Sequence, residues 1–367
     1  MNKIFKEFTF PHGKKVRNKI ALAPMTTYSS NDDLTLSNEE EIYYNSRSKN
    51  IGMVITAATA VSKNAQAFTN QISIRDGRYL ESMKRLATSI KKEGALAILQ
   101  IHHGGRMNQP DLYPNQDIVS ASAVKAKRDY TVQPRALKTS EVYDVIDEFC
   151  NATRLAIKAG FDGVEIHGAN TYLVQQFFSP HSNKRTDEFG GSLEKRLTFP
   201  LKLVDRILAL KKELNEKEFI VGYRFSPEEL ETPGITLNHT VLLIDELASK
   251  DIDYLHVSLS NYKQTSVRNT YDLEPIVTKL VKVINKRVPL IGAGSIESNE
   301  DVDEALSLGY DLVALGMIAI ADKDVVQKLM NNEIPSKEIS KASLLPPQLY
   351  NRIKSWEGIK KRGYTAK

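Results

Sequence analysis

A chain of 367 residues, 41% apolar and 26% charged, has room for one large α/β barrel or two average domains and has the composition of an ordinary globular protein. Its formal net charge of +5 is carried by Lys and Arg scattered along the chain, not gathered into blocks, which argues against nucleic-acid binding. A single cysteine, Cys150, excludes an internal disulfide framework and any cysteine-ligated zinc or iron–sulfur centre within the chain.

Met1–Lys19 is peppered with Lys and Arg and carries no apolar leader, and the longest apolar run, Leu312–Ala321, is too short to span a bilayer. A cytoplasmic enzyme without a membrane partner is the expectation. In residues 1–18, alternating apolar positions on either side of Pro11-His12-Gly13 predict a β-hairpin that plugs one end of the structure.

From residue 20 a rhythm sets in. Short apolar runs rich in β-formers stand at Ile20–Met25, Met53–Thr59, Leu96–His102, Gly163–His167, Ile220–Ser226, Tyr254–Ser260, Pro289–Ser295 and Leu312–Ile318. Amphipathic segments of helical length separate them: Ser37–Asn50, Gly77–Glu93, Ser140–Ala159, Ser192–Leu214, Leu237–Lys250, Leu273–Asn285 and Ser298–Ser307, with Lys323–Met330 after the last strand. Ser37 with Glu40, Ser140 with Glu141 and Ser298 with Glu300 read as helix starts. Gly94, Gly160 and Gly309 sit where helices end.

Eight strand–helix units with nearly continuous apolar strands predict a parallel sheet covered on its outer face. Eight is also the number that closes a barrel of about 250 residues plus insertions. A doubly wound open sheet is the runner-up. It is disfavoured because the glycine-rich candidate Gly292-Ala293-Gly294-Ser295-Ile296-Glu297 lacks a third glycine and comes late in the chain. The fold expected is α/β, a single (β/α)8 TIM barrel over residues 1–330, residues 1–18 forming the hairpin cap. Residues 331–367 form a tail that wraps the barrel, reaches a neighbouring subunit or is partly mobile; a homodimer or homotetramer is compatible with it.

The long insertions over residues 103–139, 168–191, 227–236 and 261–272 all follow strands, so they gather at the C-terminal face, where such barrels keep their chemistry. There the fourth strand delivers His167, Asn170 and Tyr172 within six positions: two hydrogen-bond donors and an acidic hydroxyl, suited to gripping a carbonyl oxygen and supplying a proton. A polar loop capping the next helix is the plainer alternative for that stretch. Arg224, in the middle of Val221-Gly222-Tyr223-Arg224-Phe225, points into an apolar barrel and needs an anionic partner, either a carboxylate or a ligand. Glycines at strands seven and eight fit a phosphate site built from backbone N–H groups. With amide and hydroxyl groups on strands one and three, the set suits a flat heterocycle with a phosphate tail. His102 and His103 lack acidic neighbours to complete a metal site and are read as substrate-loop or structural residues, with no metal expected.

These residues resemble the old yellow enzyme family of FMN-dependent ene-reductases over essentially residues 1–330. The matching pieces are Asn18–Thr26, Gln100, Glu165-Ile166-His167 with Asn170 and Tyr172, Phe178-Ser179-Pro180, and the run Asn183–Arg196, the most specific of all. The resemblance implies an oxidoreductase with non-covalent FMN, reduced by NADH or NADPH. It implies hydride transfer from the flavin to an activated alkene: an α,β-unsaturated carbonyl, a nitro compound or a quinone. His167 and Asn170 then polarise the substrate oxygen beside Tyr28, and Tyr172 protonates the α-carbon. Thr26 tunes the flavin, Pro24, Met25 and Ala58 line its ring, Gln100 reads the pyrimidine edge and Arg224 faces N1. Gly294, Ser295, Gly316 and Met317 take the phosphate.

One departure stands out, because family members commonly have Arg at the Met317 position. A charge-assisted phosphate contact of roughly 1.5–3 kcal/mol is then lost unless a Lys or Arg elsewhere replaces it. The alternative it motivates is a weakened flavin-binding or partner-binding protein with little turnover.

Overall fold

The computed structural model describes residues 3–113 and 117–367; residues 1–2 of the expected hairpin segment and 114–116 of the third-strand loop lie outside the described residues. Among the described residues, eight parallel strands close on themselves: β1 (Ile20–Leu22), β2 (Met53–Ile55), β3 (Leu96–His102), β4 (Gly163–Gly168), β5 (Ile220–Phe225), β6 (Tyr254–Val257), β7 (Leu290–Ala293) and β8 (Leu312–Leu315). Each pairs with its sequence neighbour, and β1 pairs with β8 to close the ring. This is the (β/α)8 barrel that the strand count predicts, and it leaves the open-sheet alternative without support.

The apolar runs are long because a closed parallel sheet is buried on both faces. Residues on the outer face pack against α1 (Asn38–Arg47), α2 (Leu80–Lys91), α3 (Thr139–Ala159), α4 (Leu193–Glu213), α5 (Leu237–Ala248), α6 (Ile276–Ile284), α7 (Asn299–Leu308) and α8 (Val325–Met330), forming one continuous apolar cluster. A second, smaller cluster fills the barrel interior, with Ala21, Met53, Ile98, Ile220, Ile291 and Leu312 among its members. Phe10 and Val16 belong to that inner cluster. They come from the hairpin in which Phe8–Thr9 pairs antiparallel with Lys15–Val16.

Helix starts follow capping chemistry. Ser37 and Glu40 form a capping box at α1, and Ser298 does so at α7 with Asp301, one position beyond the Glu300 expected. α3 begins at Thr139, one residue before the predicted Ser140, because Glu141 accepts the N–H of Lys138 at 2.6 Å.

The N-terminal ends of the strands are stapled by three aspartates. Asp162 accepts the N–H of Ala97 at 2.9 Å, Asp253 that of Val221 at 2.8 Å and Asp311 that of Leu290 at 2.9 Å. Each lies just before an even-numbered strand and reaches the strand preceding it. Asp253 is buried and also holds His12 Nδ1 at 2.7 Å and Lys211 Nζ at 3.6 Å. These carboxylates pair the backbone groups that strand ends would otherwise leave open.

The chain returns to the barrel after α8. Glu338–Ile339 pairs with Thr365–Ala366, and Leu349, Ile353, Ile359 and Tyr364 are buried. Arg47 of α1 ties this region to the segment after β8, donating to the carbonyl of Ser343 at 2.6 Å and to those of Ala319 at 2.8 Å and Ile320 at 3.1 Å. Its guanidinium also stacks on the Tyr43 ring, 4.1 Å from the centroid.

Candidate active site

Side chains alternate along a strand, so residues two apart share a face, and the parallel register aligns them between strands. Gln100, Glu165, Gly222 and Tyr254 lie in register on β3 to β6, and His167, Arg224 and His256 form the next layer toward the C-terminal ends. The barrel interior is therefore apolar in its lower half and polar in its upper half.

Glu165 is fully buried and accepts three hydrogen bonds, from Gln100 Nε2 at 2.7 Å, Tyr254 Oη at 3.0 Å and His256 Nδ1 at 2.8 Å. Burial opposes its ionisation, but His256, Arg224 and Gln100 outweigh that and hold its pKa below the usual carboxylate value. Burial keeps His256 neutral, so its Nδ1–H acts as a donor to the charged carboxylate.

Arg224 donates from Nη2 to Ser258 Oγ at 3.1 Å, while its buried Nε has no partner among the described residues. Burial lowers the guanidinium's pKa and the Glu165 charge counteracts this. Of the two partners expected for Arg224, a carboxylate or a ligand, the carboxylate Glu165 stands in the same barrel, and Gln100 donates one amide N–H to it. An ionised carboxylate fixed below a guanidinium is sound chemistry: it offsets the cation's desolvation while leaving an N–H open above.

His167 accepts the N–H of Ala169 on Nδ1 at 3.3 Å, which places its proton on Nε2. Burial first, then His102, Arg224 and His256, push its pKa well below the ordinary value, so it stays a neutral donor. The chain then turns through Asn170 and Thr171, both left-handed at φ +56° and +71°. For a β-branched residue that conformation is costly, and such strain concentrates at functional sites. Gln175 and Gln176 hold the turn, the first accepting the Thr171 N–H at 2.8 Å and the second donating to the Thr171 carbonyl at 2.7 Å.

Asn170 Oδ1 accepts from Ser258 at 3.0 Å and Ser226 at 3.4 Å, which leaves its Nδ2 group to donate. Tyr172 packs edge-on against His167, ring centroids 4.9 Å apart, and against His102 at 4.4 Å. Burial, with Tyr28 and Tyr130 adding to it, raises its pKa, so the hydroxyl keeps its proton at neutral pH. His102 accepts from Gln71 Nε2 at 3.1 Å and is pushed down to about 3 by burial and by His103. Phe68 touches Tyr28, His102 and Tyr172, completing an aromatic wall around the mouth.

The first-strand segment is held beside this wall. Pro24 is buried, Met25, Thr26 and Tyr28 are half-buried, and Thr26 makes no side-chain hydrogen bond among the described residues. Thr27 and Ser30 bond the buried Glu40, which fixes the segment to α1. Ala58 is buried, and its carbonyl accepts from Gln71 at 2.9 Å.

A cavity of about 160 Å³ opens between the ends of β7 and β8, lined by Met25, Arg224, Gly294, Ser295, Gly316 and Met317 among others. Gly294 has φ +121°, and a Cβ there would lie 2.7 Å from the Leu259 carbonyl and 2.8 Å from the Asn261 N. Only glycine fits that approach. Arg224, whose buried Nε has no partner among the described residues, and the glycine cradle line the same cavity, and together they fit a flavin ring and its phosphate tail.

The structure thus gathers His167, Asn170, Tyr172 and Tyr28 at the mouth, and Met25, Arg224, Gly294, Ser295, Gly316 and Met317 around the cavity. Gln100 lies deeper, on Glu165. Sequence reasoning missed the charged role of Glu165 and the parts played by Tyr254, His256, Ser226, Ser258 and Phe68, and left His102 as loop or structure. Glu165, Tyr254 and His256 carried a usable signal: their two-residue spacing puts them on the inward face of predicted strands.

Comparison with known proteins accords with this geometry. Residues 3–335 match the family described as NADH:flavin oxidoreductase / NADH oxidase. A Bacillus subtilis protein called a probable NADH-dependent flavin oxidoreductase is 44% identical over 89% of this chain and 87% of its own length. An NADH:acrylate oxidoreductase from Vibrio harveyi is 39% identical over 91% of this chain, which spans only 34% of that longer protein. Among solved structures, morphinone reductase superposes with a TM-score of 0.78 at 25% identity, covering 92% of this chain and 91% of that one.

Proposed function

Because the chain belongs to the old yellow enzyme family of FMN-dependent NADH:flavin oxidoreductases, we propose that it reduces electron-poor carbon–carbon double bonds: α,β-unsaturated carbonyls, nitroalkenes or quinones. When bound, FMN would supply hydride transfer from the nicotinamide to the alkene. The observation that carries the reading is the neutral donor pair with an acid beside it: His167 Nε2, Asn170 Nδ2 and the Tyr172 hydroxyl at one mouth.

His167 and Asn170 bind the substrate's oxygen and draw electron density from the double bond. A preorganised neutral donor favours the developing negative charge without reorganising, an effect of roughly 10²–10³ in rate per donor. Tyr172 holds its proton at neutral pH and releases it only to a strongly basic carbon, which suits α-carbon protonation. Phe68 and Tyr28 cover the mouth with apolar surface and limit water. Arg224 and Gln100 would hold the polar edge of the ring, and Pro24, Met25, Thr26 and Ala58 would line its body. Gly294, Ser295, Gly316 and Met317 would cradle the phosphate. The name of the Vibrio harveyi relative supports an α,β-unsaturated acceptor and NADH as the donor.

The test is anaerobic. Purified protein should show a flavin band near ~450 nm that bleaches on adding NADH and returns on adding an enone. A band that bleaches and stays bleached with enones, nitroalkenes and quinones alike would refute the alkene assignment.

A further inference from the structure

Met317 brings no charge to the phosphate cradle, yet the cavity is not without a nearby cation. Arg362, 45 positions later, lines it together with Gly294, Ser295, Gly316 and Met317. We propose that Arg362, delivered by the C-terminal segment, binds the FMN phosphate and supplies the charge that Met317 lacks. The inference rests on the phosphate lying in this cradle, as the proposed function has it.

The placement of Arg362 is fixed by its neighbours on both sides. Ile359 and Tyr364 are buried, and the Arg362 N–H bonds the Ile359 carbonyl at 3.1 Å. Tyr364 donates to Glu297 Oε1 at 2.6 Å, and Glu297 itself lines the cavity. Thr365 and Ala366 then pair with Glu338 and Ile339. The guanidinium lies over the Trp356 ring, 5.4 Å from its centroid, so its rotamer freedom is limited before any ligand arrives.

Charge matching favours an anion. Glu297 is already compensated by Lys337 at 2.5 Å and by the Tyr364 hydroxyl. Arg362 has no carboxylate within 4 Å among the described residues, although it is exposed and free to find one. A planar guanidinium matches two phosphate oxygens at once, which suits Arg362 to a phosphate in this cavity.

The experiment separates the phosphate from the ring. Full-length wild type, Arg362→Ala and the double variant Met317→Arg/Arg362→Ala are titrated with FMN and with riboflavin, following flavin fluorescence. Arg362→Ala should raise the FMN dissociation constant about tenfold to a hundredfold, the range of one charge-assisted contact. Its riboflavin affinity should match wild type, and Met317→Arg should bring FMN binding back. Wild-type FMN affinity in Arg362→Ala, an equal loss for both flavins, or no rescue in the double variant would each overturn the assignment. A wild type that binds neither flavin would instead overturn the reading of the site on which it rests.

Discussion

At the N-terminal end of the barrel, Asp162, Asp253 and Asp311 each accept a backbone N–H from a neighbouring strand, and Phe10 and Val16 close the opening. At the C-terminal end, Arg224 Nε and His102 Nε2 are buried without partners among the described residues, and Asn170 and Thr171 hold left-handed turns. Both ends are rich in charged and polar side chains, so polarity does not distinguish them. What those groups bind does. One end spends its carboxylates on strand N–H groups and leaves Lys211 Nζ only an ion pair with Asp253; the other keeps donors in reserve for a ligand.

The comparison is broken most sharply by changing one end and reading the other. Tyr172→Phe removes the acid and leaves the ring packing, so alkene turnover should fall by about 10²–10⁴ while reduction of the flavin by NADH and the melting temperature stay close to wild type. An equal fall in both half-reactions would mean that the hydroxyl does not serve as the proton source. At the opposite end, Asp253→Ala strands Lys211, which is buried, and opens the Val221 N–H. Stability should drop by about 3–5 kcal/mol, with turnover per folded molecule unchanged. Urea denaturation paired with active-site flavin content would expose any failure of that separation.

Acid should act through the upper end. His102 and His103 are each held near a pKa of about 3 by burial, against an unfolded value near 6.5. The unfolded chain therefore takes up their protons first. Their contribution is complete above pH ~6.5 and is lost progressively as pH falls toward about 3. Denaturation midpoints measured across that window should decline, and His103→Gln should flatten the slope. The smallest effect expected is Asp311→Asn, where the amide oxygen can still accept the Leu290 N–H; a change beyond ~1 kcal/mol would show that the charge itself matters there.

How much of this could be read in advance depended on the kind of signal. The strands and helices were legible because a doubly buried parallel strand and an amphipathic helix write different periods into the sequence. His167, Asn170 and Tyr172 were legible because one turn delivers all three. The aspartate staples sit in a repeated pattern, Phe161-Asp162, Ile252-Asp253 and Tyr310-Asp311, that precedes strands four, six and eight and was open to inspection. Glu165 and His256 were harder. Their partners come from four strands, so the network exists only once the barrel closes and sets the register. Arg362 was out of reach, because no periodicity records that a tail will turn back toward a cavity built 45 positions and more before it.

Arg47 moors that tail at the Ser343 carbonyl, while holding the Ala319 and Ile320 carbonyls of the segment after β8. A cation tied to three buried carbonyl dipoles, with no carboxylate within 4 Å among the described residues, has no ion pair for dissolved salt to screen. An exposed Arg362–phosphate contact would be screened. Raising ionic strength should therefore loosen the grip on the cofactor's anionic end while the segment carrying Arg362 stays docked, making the holoenzyme's flavin retention, but not its tail, a function of the salt around it.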